Sequence, residues 1–365
     1  MFEEIELKSE GRISRLTNRT FQFDSRIGEG FFSANYFLKS AKIVEKSLPN
    51  HVVTMQFFQR RARAYVCGLD EVIALLHTFA IQPERLIIEA LNDGDEIVGT
   101  EPVLRITGKY EHFGFLESLI DGILARRTSV CTSVTETIAA AGNIPVFSMA
   151  DRQDDYLTQI GDGYASYVGG IRRVSTDAQG YYWNGKGMGT MPHALIQVCG
   201  GDICKAADAY LESFPDERVT ALIDYNNNVV YDSIALLKHL GKKLAAVRID
   251  TSLSLCDKYF DDVPDKTGLY GVCWQLVSAL RKHLDNADGE HVKIIVSSSF
   301  TKEKIADWTL RRIPVDMYGV GTSFVDNTIC NFTGDLVMLD GLPQAKVGRS
   351  LIPSTRLIEV KYPIY

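Results

Sequence analysis

The sequence predicts an α/β protein whose larger part is a barrel of parallel strands. Three observations carry that reading. From about residue 144, apolar runs rich in β-branched residues alternate with helical segments, the texture of parallel strands buried on both faces. Polar or small residues close nearly every run, at the strand ends where parallel α/β folds bind ligands. A separate strand-rich stretch, 86–108, precedes the alternation and marks a smaller module. Six clear runs with room for one or two more fit a barrel better than an open sheet, which periodicity alone leaves as the alternative.

Taken in order, residues 30–48 and 70–81 have helical periodicity, the second with an apolar stripe of Leu69, Val72, Ile73, Leu75 and Leu76. In 86–108 the turn residues Asn92-Asp-Gly-Asp95, then Gly99 and Pro102, punctuate short strands. A helix is predicted over 113–141, with Leu116, Leu119, Ile120, Ile123 and Leu124 on one face. The strand runs begin near Ile144, Gly170, Val219, Leu244, Val292 and Pro314, separated by helices at about 154–168, 202–213, 230–240, 268–286 and 302–311.

Composition bounds the function. The 365 residues suggest two domains, or one barrel with an elaboration, at roughly 100–200 residues per domain. With 45% apolar and 23% charged residues the chain is an ordinary globular one, neither disordered nor collagen-like. A net charge of −7 argues against a nucleic-acid partner, though a local pocket can still be cationic. The seven cysteines form no Cys-x-x-Cys pair and read as buried thiols in a reducing cytoplasm. The acidic start, Met1-Phe-Glu-Glu-Ile-Glu-Leu, has no apolar signal core, and no stretch approaches the ~20 apolar residues of a membrane span. A cytoplasmic protein without a membrane partner is expected.

The loops after the runs carry the chemistry. Val296-Ser-Ser-Ser-Phe-Thr301 and Gly319-Val-Gly-Thr322 end the last two strands. Small residues let backbone N–H groups approach an anion, and in barrels this pair of loops often holds phosphate. In Ala246-Val-Arg-Ile-Asp-Thr251 the strand period turns Arg248 and Asp250 to one side. Arg248 could meet a phosphate and Asp250 sugar hydroxyls; an internal salt bridge is the alternative. Asp224 ends an equivalent run, as a carboxylate near developing positive charge, a group near Mg2+, or a helix cap. In Gly187-Met-Gly-Thr-Met-Pro-His193, Pro192 suggests a helix entry that holds His193 at a helix start, as a nucleophile or proton shuttle. Arg152 and Ser175-Thr-Asp177 end two further runs, with a surface pair to Asp154 or Asp155 as the alternative for Arg152.

Gly189-Thr-Met-Pro-His193-Ala, Val247-Arg-Ile-Asp250-Thr, Ile295-Val-Ser-Ser-Ser and Tyr318-Gly-Val-Gly-Thr322 together resemble the motifs of nicotinate phosphoribosyltransferases, chiefly the shorter archaeal-type branch. The resemblance implies a type II phosphoribosyltransferase fold: an irregular, roughly seven-stranded barrel, 113–335, on an N-terminal α/β module, 1–112, completed by the C-terminal segment 336–365. It implies joining of nicotinate to 5-phosphoribosyl 1-pyrophosphate, with Mg2+ as cofactor and ATP as co-substrate through a transiently phosphorylated His193. In that scheme Asp224 stabilises the cationic centre or orients Mg2+, Arg248 meets phosphate oxygens and Asp250 holds the ribose. Ser298, Ser299, Gly319, Gly321 and Thr322 cradle the 5′-phosphate, while Arg152, Ser175, Thr176 and Asp177 read the base. Tyr36 belongs to a Tyr-Phe pair that reaches the site of a partner subunit, so a homodimer with its site at the interface is implied.

Two features depart from the family. Where it usually shows Phe-Gly-x-Arg-Arg, this chain has Ser148-Met-Ala-Asp-Arg152-Gln, which keeps only Arg152 and puts Met149 in place of the aromatic. Thr176-Asp177 resembles the nicotinamide enzymes, whose Asp accepts from an amide; beside a carboxylate substrate its charge would need Arg152, Arg172 or Arg173. Another pyridine, nicotinamide first, is the alternative substrate, and a catalytically silent barrel that binds a phosphorylated ligand is the alternative of another class.

Overall fold

The computed structural model describes residues 19–326 and 329–361. The acidic N-terminal stretch read above lies outside them. The chain first lays down β1 (Val52–Gln59), β2 (Arg63–Tyr65), β3 (Ile87–Ala90), β4 (Glu96–Val98) and β5 (Pro102–Lys109). After the 25-residue helix Glu117–Ala141 come β6 (Val146–Ser148), β7 (Val219–Leu222), β8 (Leu244–Ile249), β9 (Lys293–Val296) and β10 (Met317–Val320). The strands β11 (Phe332–Leu339), β12 (Leu342–Pro343) and β13 (Ile358–Val360) end it.

Strands from both ends of the chain build the first sheet, in the order β12-β11-β1-β5-β3-β13. β11 pairs antiparallel with β1 (Val53 opposite Leu339), and β13 with β3 (Ile358 opposite Ala90). The C-terminal segment therefore closes a module begun more than two hundred residues earlier. The helix Leu69–Phe79 packs there through the predicted stripe, with Leu69, Val72, Ile73, Leu75 and Leu76 all buried. β1 escapes sequence patterning because Gln56 and Gln59 are fully buried in it. Their amides are satisfied by carbonyls of distant segments: Gln56 Nε2 donates to Ser350 O at 2.9 Å and Gln59 Nε2 to Val98 O at 3.1 Å.

The second sheet is parallel, in the order β6-β10-β9-β8-β7. Three backbone hydrogen bonds close it into a barrel. Ser148 N–H donates to Arg173 O at 2.9 Å, Met188 N–H to Val174 O at 2.8 Å, and Met191 N–H to Thr220 O at 3.2 Å. Two irregular segments, around Val174 and around 187–191, thus fill the gap between β6 and β7, giving seven staves. The run near Gly170, expected as a strand, is a single bridged residue, Val174, paired with Ser148 on one side and Gly187 on the other. Gly170, at φ 113°, turns the chain in just before it, and Thr176 caps a helical turn just after it. The helix expected over 268–286 begins at Trp274, because Gly268 and Gly271 take positive φ in the loop before it.

Each sheet has its own apolar core, and the helix Glu117–Ala141 belongs to both. Its Ile120 and Leu124 pack in the module, and its Val130, Cys131 and Val134 pack against the barrel. No described helix is long and apolar enough to cross a membrane.

Candidate functional site

The mouth of the barrel is organised by the end of β8. Arg248 Nη2 donates to Asp250 Oδ2 at 2.9 Å, and Arg248 Nε donates to Ser297 Oγ at 2.9 Å. The Ser297 hydroxyl donates to Asp250 Oδ1 at 2.8 Å. Arg248 Nη1 also reaches Thr190 Oγ1 at 3.3 Å. The strand period puts arginine and aspartate side by side, and Ser297 locks them from β9. Charge-assisted bonds among half-buried groups make this a preorganised unit. The internal salt bridge weighed from sequence is therefore present, at the C-terminal end of β8.

His193 stands beside it. It opens the helix His193–Val198, directly after Pro192, as the sequence suggests. Its Nε2 lies 3.2 Å from Asp224 Oδ1. The imidazole is 44% exposed and the carboxylate only 8%. Burial raises the Asp224 pKa; the His193 ring lowers it again and the Asp250 charge adds to the rise. Asp224 does not cap the helix Val229–Leu240: Asp257 Oδ2 accepts from Val229 N–H at 3.0 Å in that place. Asp224 is thus left to face the histidine.

The two small-residue loops follow β9 and β10. Ser298 and Ser299 both hold positive φ, 72° and 56°. Two successive non-glycine residues in the left-handed region are strained, a condition that clusters at ligand clamps. At Gly321 a Cβ would sit 2.8 Å from the Met149 carbonyl oxygen, so this position requires glycine. A Cβ at Gly319 would meet the Met149 Sδ at 2.8 Å. Thr322 begins the short helix Thr322–Val325 beside them.

A cavity of ≈ 530 Å³ occupies the barrel interior. Phe147, Met149 and Thr190 line it at the mouth side, with Arg173, Thr220 and Ile295 further along. Thr190 joins the cavity to the Arg248 unit. Sequence reading missed Thr190 as a site residue, although it stands inside a quoted motif, and took Ser297 only as part of a phosphate loop; their side-chain partner Arg248 lies 58 and 49 residues away in the chain.

The remaining predicted residues lie around the mouth or apart from it. Ser175 Oγ donates to Asp151 Oδ1 at 2.9 Å. Thr176 caps the helical turn Asp177–Gly180 and donates to Gln159 Oε1 at 2.8 Å. Asp177 is exposed and accepts from Gly187 N–H at 2.8 Å and Lys186 Nζ at 3.3 Å, contacts that hold its pKa down. Arg152 is exposed and pairs with neither expected aspartate: Asp154 takes Arg126 at 2.9 Å, and Asp155 accepts from Leu157 N–H at 2.9 Å. Tyr36, 64% exposed, packs on Phe37 with ring centroids 4.2 Å apart, on a helix (Asn35–Ser47) that buries none of its residues.

Residues 36–128 match the model of the quinolinate phosphoribosyl transferase N-terminal domain. The chain is 26% identical over 268 residues to nicotinate phosphoribosyltransferase pncB1 of Mycobacterium tuberculosis, covering 71% of this chain and 55% of that protein. It is 21% identical over 242 residues to nicotinate phosphoribosyltransferase of Bacillus subtilis, covering 65% of this chain and 45% of that one. The chain thus spans about half the length of the curated relatives it matches. Among solved structures, nicotinate-nucleotide pyrophosphorylase from Pyrococcus furiosus superposes with a TM-score of 0.77 and 28% identity over 90% of this chain and 80% of its own. Human nicotinic acid phosphoribosyltransferase shares the fold, with a TM-score of 0.64 at 16% identity over 86% of this chain and 75% of its own. Motif order, barrel closure and these likenesses agree: the chain has the type II phosphoribosyltransferase fold and is similar in sequence to nicotinate phosphoribosyltransferases.

Proposed function

We propose that this protein transfers the phosphoribosyl group of 5-phosphoribosyl 1-pyrophosphate to nicotinate, releasing pyrophosphate, with ATP hydrolysis coupled through His193. The observation that carries the reading is one barrel mouth holding both a His193–Asp224 pair and an Arg248–Asp250–Ser297 unit. A silent phosphate-binding barrel would need only the small-residue loops.

Each group then has a role. The anomeric carbon becomes oxocarbenium-like as pyrophosphate leaves, and the pyridine nitrogen attacks it; catalysis is positioning and charge stabilisation. Asp224 presents a largely desolvated carboxylate to that centre. Asp250 exchanges its internal partners for ribose hydroxyls, freeing Arg248 for phosphate oxygens. Ser298, Ser299, Gly319, Gly321 and Thr322 receive the 5′-phosphate. With Asp224 accepting from Nε2–H, the His193 lone pair lies on Nδ1. Nδ1 would attack the γ-phosphorus of ATP, forming an N–P bond as the bond to ADP breaks.

Asp250 has both oxygens engaged by Arg248 and Ser297, while Asp224 meets His193 through Oδ1. This fits Mg2+ held mainly by the donor's phosphates, with Asp224 beside it. Bound there, the ion would neutralise charge on the pyrophosphate. The exposed Phe31, Phe32, Tyr36 and Ile43 of the N-terminal segment favour a homodimer in which Tyr36 reaches the partner's site. Seven free thiols fit a reducing cytoplasm.

The test is an assay of purified protein with donor, Mg2+ and a panel of pyridines, with and without ATP. Nicotinate mononucleotide formed faster with ATP is expected. Absence of transfer to every pyridine overturns the reading, and donor binding without turnover favours the silent barrel.

A further inference from the structure

Two neighbouring arginines of the helix Glu117–Ala141 reach in different directions. Arg127 turns to the first module and donates to the Glu71 carboxylate at 2.8 and 3.1 Å. Arg126, about 100° away around the helix, turns to the barrel mouth. It grips Asp162 with two bonds, Nε to Oδ1 at 3.0 Å and Nη2 to Oδ2 at 2.7 Å. Asp162 belongs to the helix Gln159–Val168 and is almost fully buried. A bidentate pair of this kind fixes the plane of the guanidinium.

The rest of the fork reaches two segments of the mouth. Nη2 donates to Asp154 Oδ2 at 2.9 Å, in the loop that follows β6. Nη1 donates at 3.4 Å to the carbonyl of Val325, the last residue of the helix Thr322–Val325. Two turns further along the same face of the long helix, Ser133 Oγ donates to the Ser323 carbonyl at 2.8 Å. The short helix that begins at Thr322 is thus held by the long one at two of its carbonyls.

The loop after β6 also meets the Gly319–Thr322 loop directly. Met149 N–H donates to the Val320 carbonyl at 2.7 Å, and a Cβ at Gly321 would sit 2.7 Å from the Gln153 amide nitrogen. The loop after β6 is therefore tied at its root by Met149 and further along by Arg126, through Asp154. Met149 in turn lines the barrel cavity. Arg126 and Asp154 are both partly exposed, so their pair adds little stability. Its geometric effect is larger, because the same guanidinium is anchored on a buried carboxylate.

We propose that Arg126 is a positioning residue that holds the loop after β6 and the helix Thr322–Val325 in one register, so that filling the phosphate loop also sets the cavity wall for the acceptor. The proposal rests on the reading above, with the 5′-phosphate on Gly319–Thr322 and the pyridine in the cavity. Arg126 acts through Asp154 and Val325 rather than by contact with either substrate.

The experiment titrates nicotinate with and without saturating ribose 5-phosphate, which keeps the 5′-phosphate and has no pyrophosphate to lose. Wild type, Asp154→Ala and Arg126→Gln are compared. In wild type, ribose 5-phosphate should tighten nicotinate binding about 5-fold or more, and nicotinate should tighten ribose 5-phosphate binding by the same factor. In both variants that factor should fall to about half the wild-type value or less. Asp154→Ala keeps the buried Arg126–Asp162 pair, so its Tm should move by no more than about 2 °C, and it carries the test if Arg126→Gln fails to fold. A wild-type factor of one overturns the proposal, as does an undiminished factor in Asp154→Ala. If wild type shows the coupling but transfers phosphoribose to no pyridine, the positioning role stands and the transfer reading falls. If wild type transfers without coupling, or binds neither ligand, the positioning role falls.

Discussion

His193 Nε2 and Asp224 Oδ1 lie 3.2 Å apart, an exposed imidazole on a buried carboxylate. The carboxylate fixes which ring nitrogen carries the proton and leaves the other facing solvent, where a phosphoryl donor can reach it. Removing the histidine should therefore separate ATP coupling from the transfer itself, whereas removing the carboxylate should not. In His193→Ala, ATP stimulation should vanish while slow ATP-independent transfer persists. In Asp224→Asn the ATP-coupled rate should fall about 100-fold or more, and the basal rate should fall with it, since the proposed mechanism also sets Asp224 against the reaction centre. Initial rates with and without ATP decide this; full coupling in His193→Ala would remove the histidine from the mechanism.

Asp250 joins Arg248 and Ser297 in a closed network. Asp250→Ala leaves Arg248 without its carboxylate partner and, on the proposed mechanism, the ribose without an acceptor. The donor KM should rise about 10–100-fold, with the acceptor KM little affected. Unchanged donor kinetics would contradict the ribose role.

The two glycines at the end of β10 should differ. Alanine at Gly321 would press a methyl group on the Met149 carbonyl and the Gln153 amide, at 2.8 and 2.7 Å, whereas at Gly319 it meets the flexible Met149 thioether. Overpacking against backbone costs about 1–3 kcal/mol. Gly321→Ala should lower Tm by several degrees and raise the donor KM; Gly319→Ala should do less of both. Thermal melts with donor titrations check the ranking.

Glu117 sits one helical turn from Asp121, and Asp335 of β11 faces both. Burial pushes the Glu117 carboxyl from 4.5 up to about 8, with the charges of Asp121 and Asp335 adding, and burial raises Asp121 to about 6. The folded protein thus keeps a proton that the unfolded chain loses above 4.5. This contribution is fully present below that pH and disappears as pH rises toward 8. Glu117→Gln should match wild type in Tm near pH 5 and exceed it near pH 8. A Tm difference that does not change with pH would show that the carboxyl titrates elsewhere.

Much of the site was legible because its signals are local. Val-Arg-Ile-Asp places Arg248 and Asp250 on one side by the strand period alone, and Pro192 announces the helix that presents His193. The partners were not legible. That Asp224 meets His193 depends on Asp257, 28 residues beyond Val229, having taken the cap position. That Arg152 is exposed while Arg173 lines the cavity depends on how one short stave crosses the barrel.

The sequence by itself determined a parallel α/β core with polar strand ends, because burial on both faces and helical periodicity are written within ten or twenty residues. Only the tertiary structure decided that two irregular segments close the barrel, through hydrogen bonds from Ser148, Met188 and Met191 to Arg173, Val174 and Thr220. It likewise decided that β11 and β13 return to the first module. A segment with one bridged residue has too few positions for a period to show. A strand with buried glutamines acquires its pattern only when distant carbonyls arrive to pair with them.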